Sequence, residues 1–256
     1  MRKLLKNNLS EFIPAHRFFV GVDSDGCVFD TMEIKQKKCF HPVIISHWNL
    51  QKIEKAVRET AEFVNLYSKY RGQNRFVALI KTFELLTKHP AVLQSKVTLP
   101  DMKLLKKYIE KGLPLSNEGI AKAIKSGNFV GLKDILTWSI RVNQTIKTKV
   151  KKIPPFKWAV KSLKLIQKDC DVMCISQTPS EALVREWHEN NIDQYVTVIA
   201  GQELGTKSDH IAIATKGRYE PANVIIIGDA LGDKKAAKDN NACFYPICPG
   251  KEEISR

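Results

Sequence analysis

The chain has 256 residues, 43% of them apolar and 27% charged, with a formal net charge of +14. That length and apolar content suffice to bury a core, which excludes a disordered chain, and no stretch approaches the roughly 18 uninterrupted apolar residues of a membrane span. The N-terminal segment Met1-Arg2-Lys3-Leu4-Leu5-Lys6-Asn7-Asn8 holds no apolar run fit for a secretion signal, so a cytoplasmic protein without a membrane partner is expected.

Arg17-Phe18-Phe19-Val20-Gly21-Val22 is a short apolar run that breaks into Asp23-Ser24-Asp25-Gly26, the pattern of a buried parallel strand opening into a polar loop. From 31 to about 152 strand patterning vanishes and helical periodicity takes over, with helices expected over 50–70, 74–87, 101–111, 117–125 and 132–149. Beyond it, strand-like runs at 171–176, 195–200, 223–228 and 242–246 alternate with helical stretches at 156–168, 180–190, 207–215 and 233–239. Alternation of this kind predicts an α/β fold, a Rossmann-like parallel sheet with helices on both faces. The expected division is a discontinuous sheet domain (1–30 and 153–256) interrupted by an all-helical domain (31–152).

Ligands of such sheets bind beyond the carboxyl ends of the strands, where the polar residues of this chain gather. Asp23 and Asp25 leave the first strand two residues apart, and Gly26 allows the backbone to turn so that both face one locus. A carboxylate can take a phosphoryl group when a divalent cation offsets the repulsion between anions, and a second carboxyl can give a proton to the leaving oxygen. A plain Asp-rich turn accounts for this motif alone equally well. The run 223–228 ends in Gly228-Asp229-Ala230-Leu231-Gly232-Asp233, a second pair of carboxylates, with capping of the next helix as the alternative role of Asp233. Ser176 ends the run 171–176 and leads into a helix whose free N–H groups favour phosphate; Lys207 begins the helix 207–215 and could screen charge. Taken singly, these are an ordinary turn residue and an ordinary surface lysine.

In this order the pieces resemble the haloacid dehalogenase superfamily: Asp23-x-Asp25-Gly26, then Ser176, Lys207, and Gly228-Asp229-x-x-x-Asp233. The resemblance covers the sheet domain, and the helical segment stands where members of one branch carry a cap. It implies a Mg²⁺-dependent phosphatase in which Asp23 is the nucleophile and Asp25 the general acid and then general base. Ser176 and Lys207 would hold phosphoryl oxygens; Asp23, the backbone carbonyl of Asp25 and Asp229 would bind Mg²⁺, supported by Asp233. Asp25 and the metal carboxylates speak against the dehalogenase branch, whereas a phosphomutase would share the whole site.

Between residues 31 and 155 stand 24 Lys/Arg against 9 Asp/Glu, so the rest of the chain is near −1 and the positive excess belongs to the helical segment. An anionic, small phosphorylated substrate fits that excess, with Arg71 and Arg75 as its expected contacts, since Arg grips phosphate or carboxylate with two parallel hydrogen bonds. Solvated lysine-rich helix faces explain it as readily. Nucleic acid is the partner from another class, but the segment carries no zinc finger, RNP motif or stacking series. The six cysteines include no CxxC pair, which argues against a disulfide framework or zinc site. Cys27, beside the expected nucleophile, reads as a packing residue.

Overall fold

The computed structural model describes residues 9–255; the segment 1–8, in which no secretion signal was read, lies outside them. The chain divides into two compact units, a sheet unit (Met1–Met32 with Lys152–Arg256) and a helical unit (Glu33–Lys151).

The sheet unit is built on five parallel strands in the order β3-β2-β1-β4-β5: β1 (Phe18–Val22), β2 (Cys170–Ile175), β3 (Val198–Ala200), β4 (Val224–Gly228) and β5 (Cys243–Pro246). β1 is central, and its side chains alternate between two cores as the period of a strand requires. Phe19 joins Met173, Ile175 and Ile226 under the helices Lys207–Thr215 and Leu231–Asp239, while Val20 and Val22 join Val172, Cys174, Leu183 and Trp187 under Lys157–Ile166 and Ser180–Glu189. Gly21 is needed where the sheet is tightest, because a Cβ there would lie 2.5 Å from Ile175 Cδ1 and 2.7 Å from Ile226 Cδ1. Asp171, buried at the start of β2, accepts hydrogen bonds from the Ala15 and His16 N–H groups and the Tyr219 hydroxyl, and so ties the approach to β1 down. At the other end of β1 the chain leaves and returns at one place: Phe29 bridges Pro155, and Phe156 N–H donates to the Val28 carbonyl at 2.8 Å.

The helical unit packs an aromatic core, in which Trp138 meets Trp48, Phe40 and Phe76. Its elements differ from expectation in three places. The helix expected over 50–70 is a 3₁₀ turn (Gln51–Ile53), an α-helix (Glu54–Glu62) and a π turn (Phe63–Tyr67). Residues 31–47, within the segment of helical periodicity but given no helix of their own, form Thr31–Lys35, a π turn Gln36–Phe40 and His41–His47. Pro42 looks like a helix breaker, yet it sits in the first turn of His41–His47 and follows a wide turn in which His41 N–H reaches the Gln36 carbonyl, relieving the clash a proline makes inside a regular helix. The short helix Pro90–Ser95, also unforeseen, likewise starts on a proline. In the sheet unit the strand expected over 195–200 is only Val198–Ala200, since Asp193–Tyr195 coils into a 3₁₀ turn.

Candidate active site

Asp23 is the first residue past β1, and its N–H is held by the Ile227 carbonyl at 3.0 Å, so its place is fixed by the ladder to β4. The turn that follows is closed by one acceptor: the Ser24 carbonyl takes the N–H groups of Val28 at 2.9 Å and Phe29 at 3.0 Å, while Gly26 adopts φ +86°, a conformation that favours glycine. The Ser24 hydroxyl, turned inward, accepts a hydrogen bond from Trp187 Nε1 at 3.0 Å. With the loop fixed in this way, the Asp23 carboxylate is buried, and its Oδ1 accepts from Ser24 N–H at 2.8 Å and from Lys207 Nζ at 2.9 Å.

Lys207 opens the helix Lys207–Thr215 behind a reciprocal cap, in which the Thr206 hydroxyl accepts from Asp209 N–H and Asp209 Oδ2 from Thr206 N–H. The cap orients the first turn, and the lysine side chain runs inward to donate to both Asp23 and Asp233. Burial opposes its charge, but the attraction of Asp23 and Asp233 prevails and holds its pKa well above the ordinary lysine value. For Asp23 burial is the largest influence and pushes the carboxyl pKa well up; Lys207 opposes the shift, and Asp233 and Asp229 reinforce it.

Asp233 stands at the third position of the helix Leu231–Asp239 and not at its cap, because that helix begins two residues earlier than expected. Its carboxylate accepts from Ala230 N–H at 3.0 Å through Oδ2 and from Lys207 through Oδ1. Gly228 makes room for it: a Cβ on that residue would lie 2.3 Å from Asp233 Cβ and 2.6 Å from Oδ2. From within the first turn Asp233 thus satisfies the Ala230 N–H and also anchors the lysine.

Asp25 is held by two hydroxyls, Thr178 Oγ1 at 2.8 Å on Oδ2 and Thr31 Oγ1 on Oδ1. Neither threonine was singled out from the sequence. Thr178 lies two residues beyond Ser176 in the loop after β2 and reaches Asp25 only because β2 pairs with β1, an adjacency that no local pattern reports. Ser176 is buried, its N–H bound to the Ala200 carbonyl and its Oγ accepting from Thr178 N–H at 3.2 Å.

Asp23, Asp229 and Cys27 are buried with a carboxylate oxygen from each aspartate and the thiol sulfur all within 4.8 Å of one another. Two hard oxygen donors at this spacing suit a Mg²⁺ ion, which takes one or two carboxylates and keeps waters and substrate oxygens as its other ligands. The soft sulfur does not compete: burial, with Asp229 and Asp23 adding, pushes the Cys27 thiol pKa well up and keeps it protonated. All six cysteines are unbridged.

The chain superposes on solved structures over most of its length. A haloacid dehalogenase-like hydrolase from Bacteroides fragilis superposes with a TM-score of 0.58 at 13% identity, covering 90% of this chain and 86% of that one. The chain has the haloacid dehalogenase fold. A second hydrolase of the haloacid dehalogenase-like family, from Streptococcus pneumoniae, gives 0.50 at 14% identity over 93% and 90% of the two chains. A structure from Lactobacillus delbrueckii described as a phosphoglycolate phosphatase gives 0.53 at 12% identity over 90% and 85%. No family model matches the sequence, and no curated protein matches it significantly. Within this dehalogenase-like fold, Asp23, Lys207 and Asp233 are in direct contact, Asp229 stands beside Asp23, and Asp25 and Ser176 are linked through Thr178.

Arg71 and Arg75 belong to the helical unit. Arg71 is buried and donates from Nη1 to the Leu66 carbonyl at 3.1 Å. Arg75 donates from Nη1 to Asn143 Oδ1 at 2.6 Å and to Ser139 Oγ at 3.1 Å. Among the described residues no helix is long and apolar enough to cross a membrane.

Proposed function

We propose that the protein is a Mg²⁺-dependent phosphatase acting on a small phosphorylated metabolite through a covalent intermediate on Asp23. The observation that carries this reading is the largely enclosed lysine between two carboxylates, Lys207 with Asp23 and Asp233, beside a second metal-competent carboxylate, Asp229. Three buried carboxylates around one largely enclosed ammonium are costly unless they are paired and used.

In this reading Asp23, the Asp25 backbone carbonyl and Asp229 would hold Mg²⁺, which would offset the charge of the phosphoryl group and favour the ionised form of the buried Asp23. An Asp23 carboxylate oxygen attacks phosphorus, and the bond from phosphorus to the ester oxygen breaks. The Asp25 carboxyl, oriented by Thr31 and Thr178, passes its proton to that departing oxygen. The resulting Asp25 carboxylate then takes a proton from a water whose oxygen attacks the same phosphorus. The Asp23–phosphorus linkage breaks, releasing inorganic phosphate and restoring both side chains. Lys207 and Ser176 hold phosphoryl oxygens, with Asp233 keeping Lys207 in place. Arg71 and Arg75 enter as cations of the helical unit that favour an anionic substrate.

The test is hydrolysis of p-nitrophenyl phosphate followed by a screen of phosphometabolites with purified protein and Mg²⁺. Asp23→Asn should lower the turnover by at least about a thousand-fold, the scale on which loss of a covalent nucleophile is felt. Chelation should abolish activity, and added Mg²⁺ should restore it. Full activity in Asp23→Asn would overturn the mechanism, and an isomeric phosphate ester in place of free phosphate would mark a mutase.

A further inference from the structure

The helical unit holds a half-open pocket of about 60 Å³ whose lining includes Gln36, Phe40, Arg75, Leu79, Thr82 and Trp138. Three features of its wall are unusual together. Arg75 has only neutral partners: Asn143, the Ser139 hydroxyl and carbonyl, and the ring of Phe40, 5.3 Å below its guanidinium carbon. No carboxylate lies within ion-pair distance of it among the described residues, and burial alone lowers its pKa to about 10, with no acidic neighbour offsetting the cost. Trp138 is 1% exposed and Gln36 7% exposed, yet the indole N–H has no acceptor and the Gln36 Oε1 no donor.

A buried donor or acceptor left unmatched costs about 1–3 kcal/mol, and native proteins seldom leave one. Here a cation without a counter-charge, an unmatched donor and an unmatched acceptor all belong to the wall of one space. In the same measure of volume a single water needs roughly 10–15 Å³, so the pocket has room for about four to six water-sized groups. A cluster of waters would satisfy the two polar atoms but leave the guanidinium charge uncompensated. Phe40 and Leu79 supply an apolar wall that favours carbon.

We propose that this cavity binds a small hydroxycarboxylate, its carboxylate taken by Arg75 and the Trp138 indole N–H and its hydroxyl donating to Gln36 Oε1. The ligand supplies the anion that Arg75 lacks, an acceptor for Trp138 and a donor for Gln36, at a size the space admits. All of the residues belong to the helical unit, so the inference stands whichever reaction the sheet unit performs.

The experiment titrates the full-length ¹⁵N-labelled protein with lactate, with propionate, which lacks the hydroxyl, and with propane-1,2-diol, which lacks the charge. The readout is the Trp138 indole N–H signal, identified by its loss in Trp138→Phe. Saturable shifts are expected in the order lactate, propionate, diol, each step weaker by about ten-fold, the scale of one buried hydrogen bond or charge-assisted contact. Gln36→Leu should reduce lactate to the affinity of propionate and leave propionate unchanged, and Arg75→Met should abolish binding of both. If Arg75→Met does not fold, the ligand series and Gln36→Leu decide alone. A Trp138 signal that is unmoved by lactate at tens of millimolar, or that moves equally with the neutral diol, would overturn the proposal and assign the cavity to water.

Discussion

The two units carry charge in opposite ways. The helical unit holds the positive excess of the chain and spends it on its surface, in pairs such as Lys122 with Glu118 and Lys37 with Glu33 and Glu62. The sheet unit is close to neutral, yet it buries Asp23, Asp229, Asp233 and the largely enclosed Lys207 around one point. Net charge is therefore the loudest signal in the composition and a poor guide to where chemistry is done. A solvated charge changes little when it is removed, whereas a buried one is coupled to every neighbour.

Removing the buried cation should break the contrast most sharply. Lys207→Met leaves Asp23 and Asp233 facing each other without compensation, and is expected to abolish the proposed phosphatase activity and to cost about 3 kcal/mol of stability, the scale for losing one partner of a buried pair. Added Mg²⁺ should recover part of that loss in a thermal melt; an unchanged melting temperature would show that the cluster is not electrostatically coupled. Gly228→Ala should come next, because the new Cβ overlaps Asp233. The cost is about 1–3 kcal/mol if the helix start shifts to relieve it, with a matching loss of activity as Lys207 loses its anchor.

An effect confined to acid pH, expected in both units, comes from two buried histidines, His41 in the helical unit and His210 in the sheet unit. Burial lowers each to a pKa of about 4; Arg58 and Lys37 add to the shift at His41, while Asp209 opposes it at His210. The unfolded chain, with histidines near 6.5, takes up protons first as the pH falls. The stability present above 6.5 is therefore lost progressively between about 6.5 and about 4. Urea midpoints measured across this range should fall, and His41→Gln and His210→Gln should each flatten the slope; parallel slopes would refute the assignment. At the bottom of the scale, Lys122→Gln, which breaks a fully solvated pair, should leave the melting temperature within error. A clear drop there would erase the distinction between the two kinds of charge.

The sheet unit was far more legible in the sequence than the helical one, for reasons visible in particular residues. β1, β2 and β4 are continuous apolar runs ending in Asp or Ser, and a parallel sheet buried on both faces demands that pattern. The positions of Asp23, Ser176, Lys207, Asp229 and Asp233 follow from it, because strand ends converge. The support of Asp25 by Thr31 and Thr178 does not follow, since it depends on which strands are neighbours. In the helical unit the π turns at Gln36–Phe40 and Phe63–Tyr67 leave no local trace, and Pro42 suggests a break where the chain only widens its helix. The Arg75 cavity was equally invisible, because an arginine read along the chain looks the same whether its partners are charged or neutral.

The junction at Val28–Phe29 and Pro155–Phe156 carries a consequence for how such a chain can change over time. To the sheet unit, everything in residues 33–151 is one loop whose ends are already clasped by backbone hydrogen bonds. The entropy of closing a flexible loop grows only with the logarithm of its length, about 0.6 kcal/mol per doubling. The insert can accordingly lengthen, shrink or be exchanged whole at little cost to the sheet, so that residues 33–151 can diversify while the carboxylates at the strand ends keep their places.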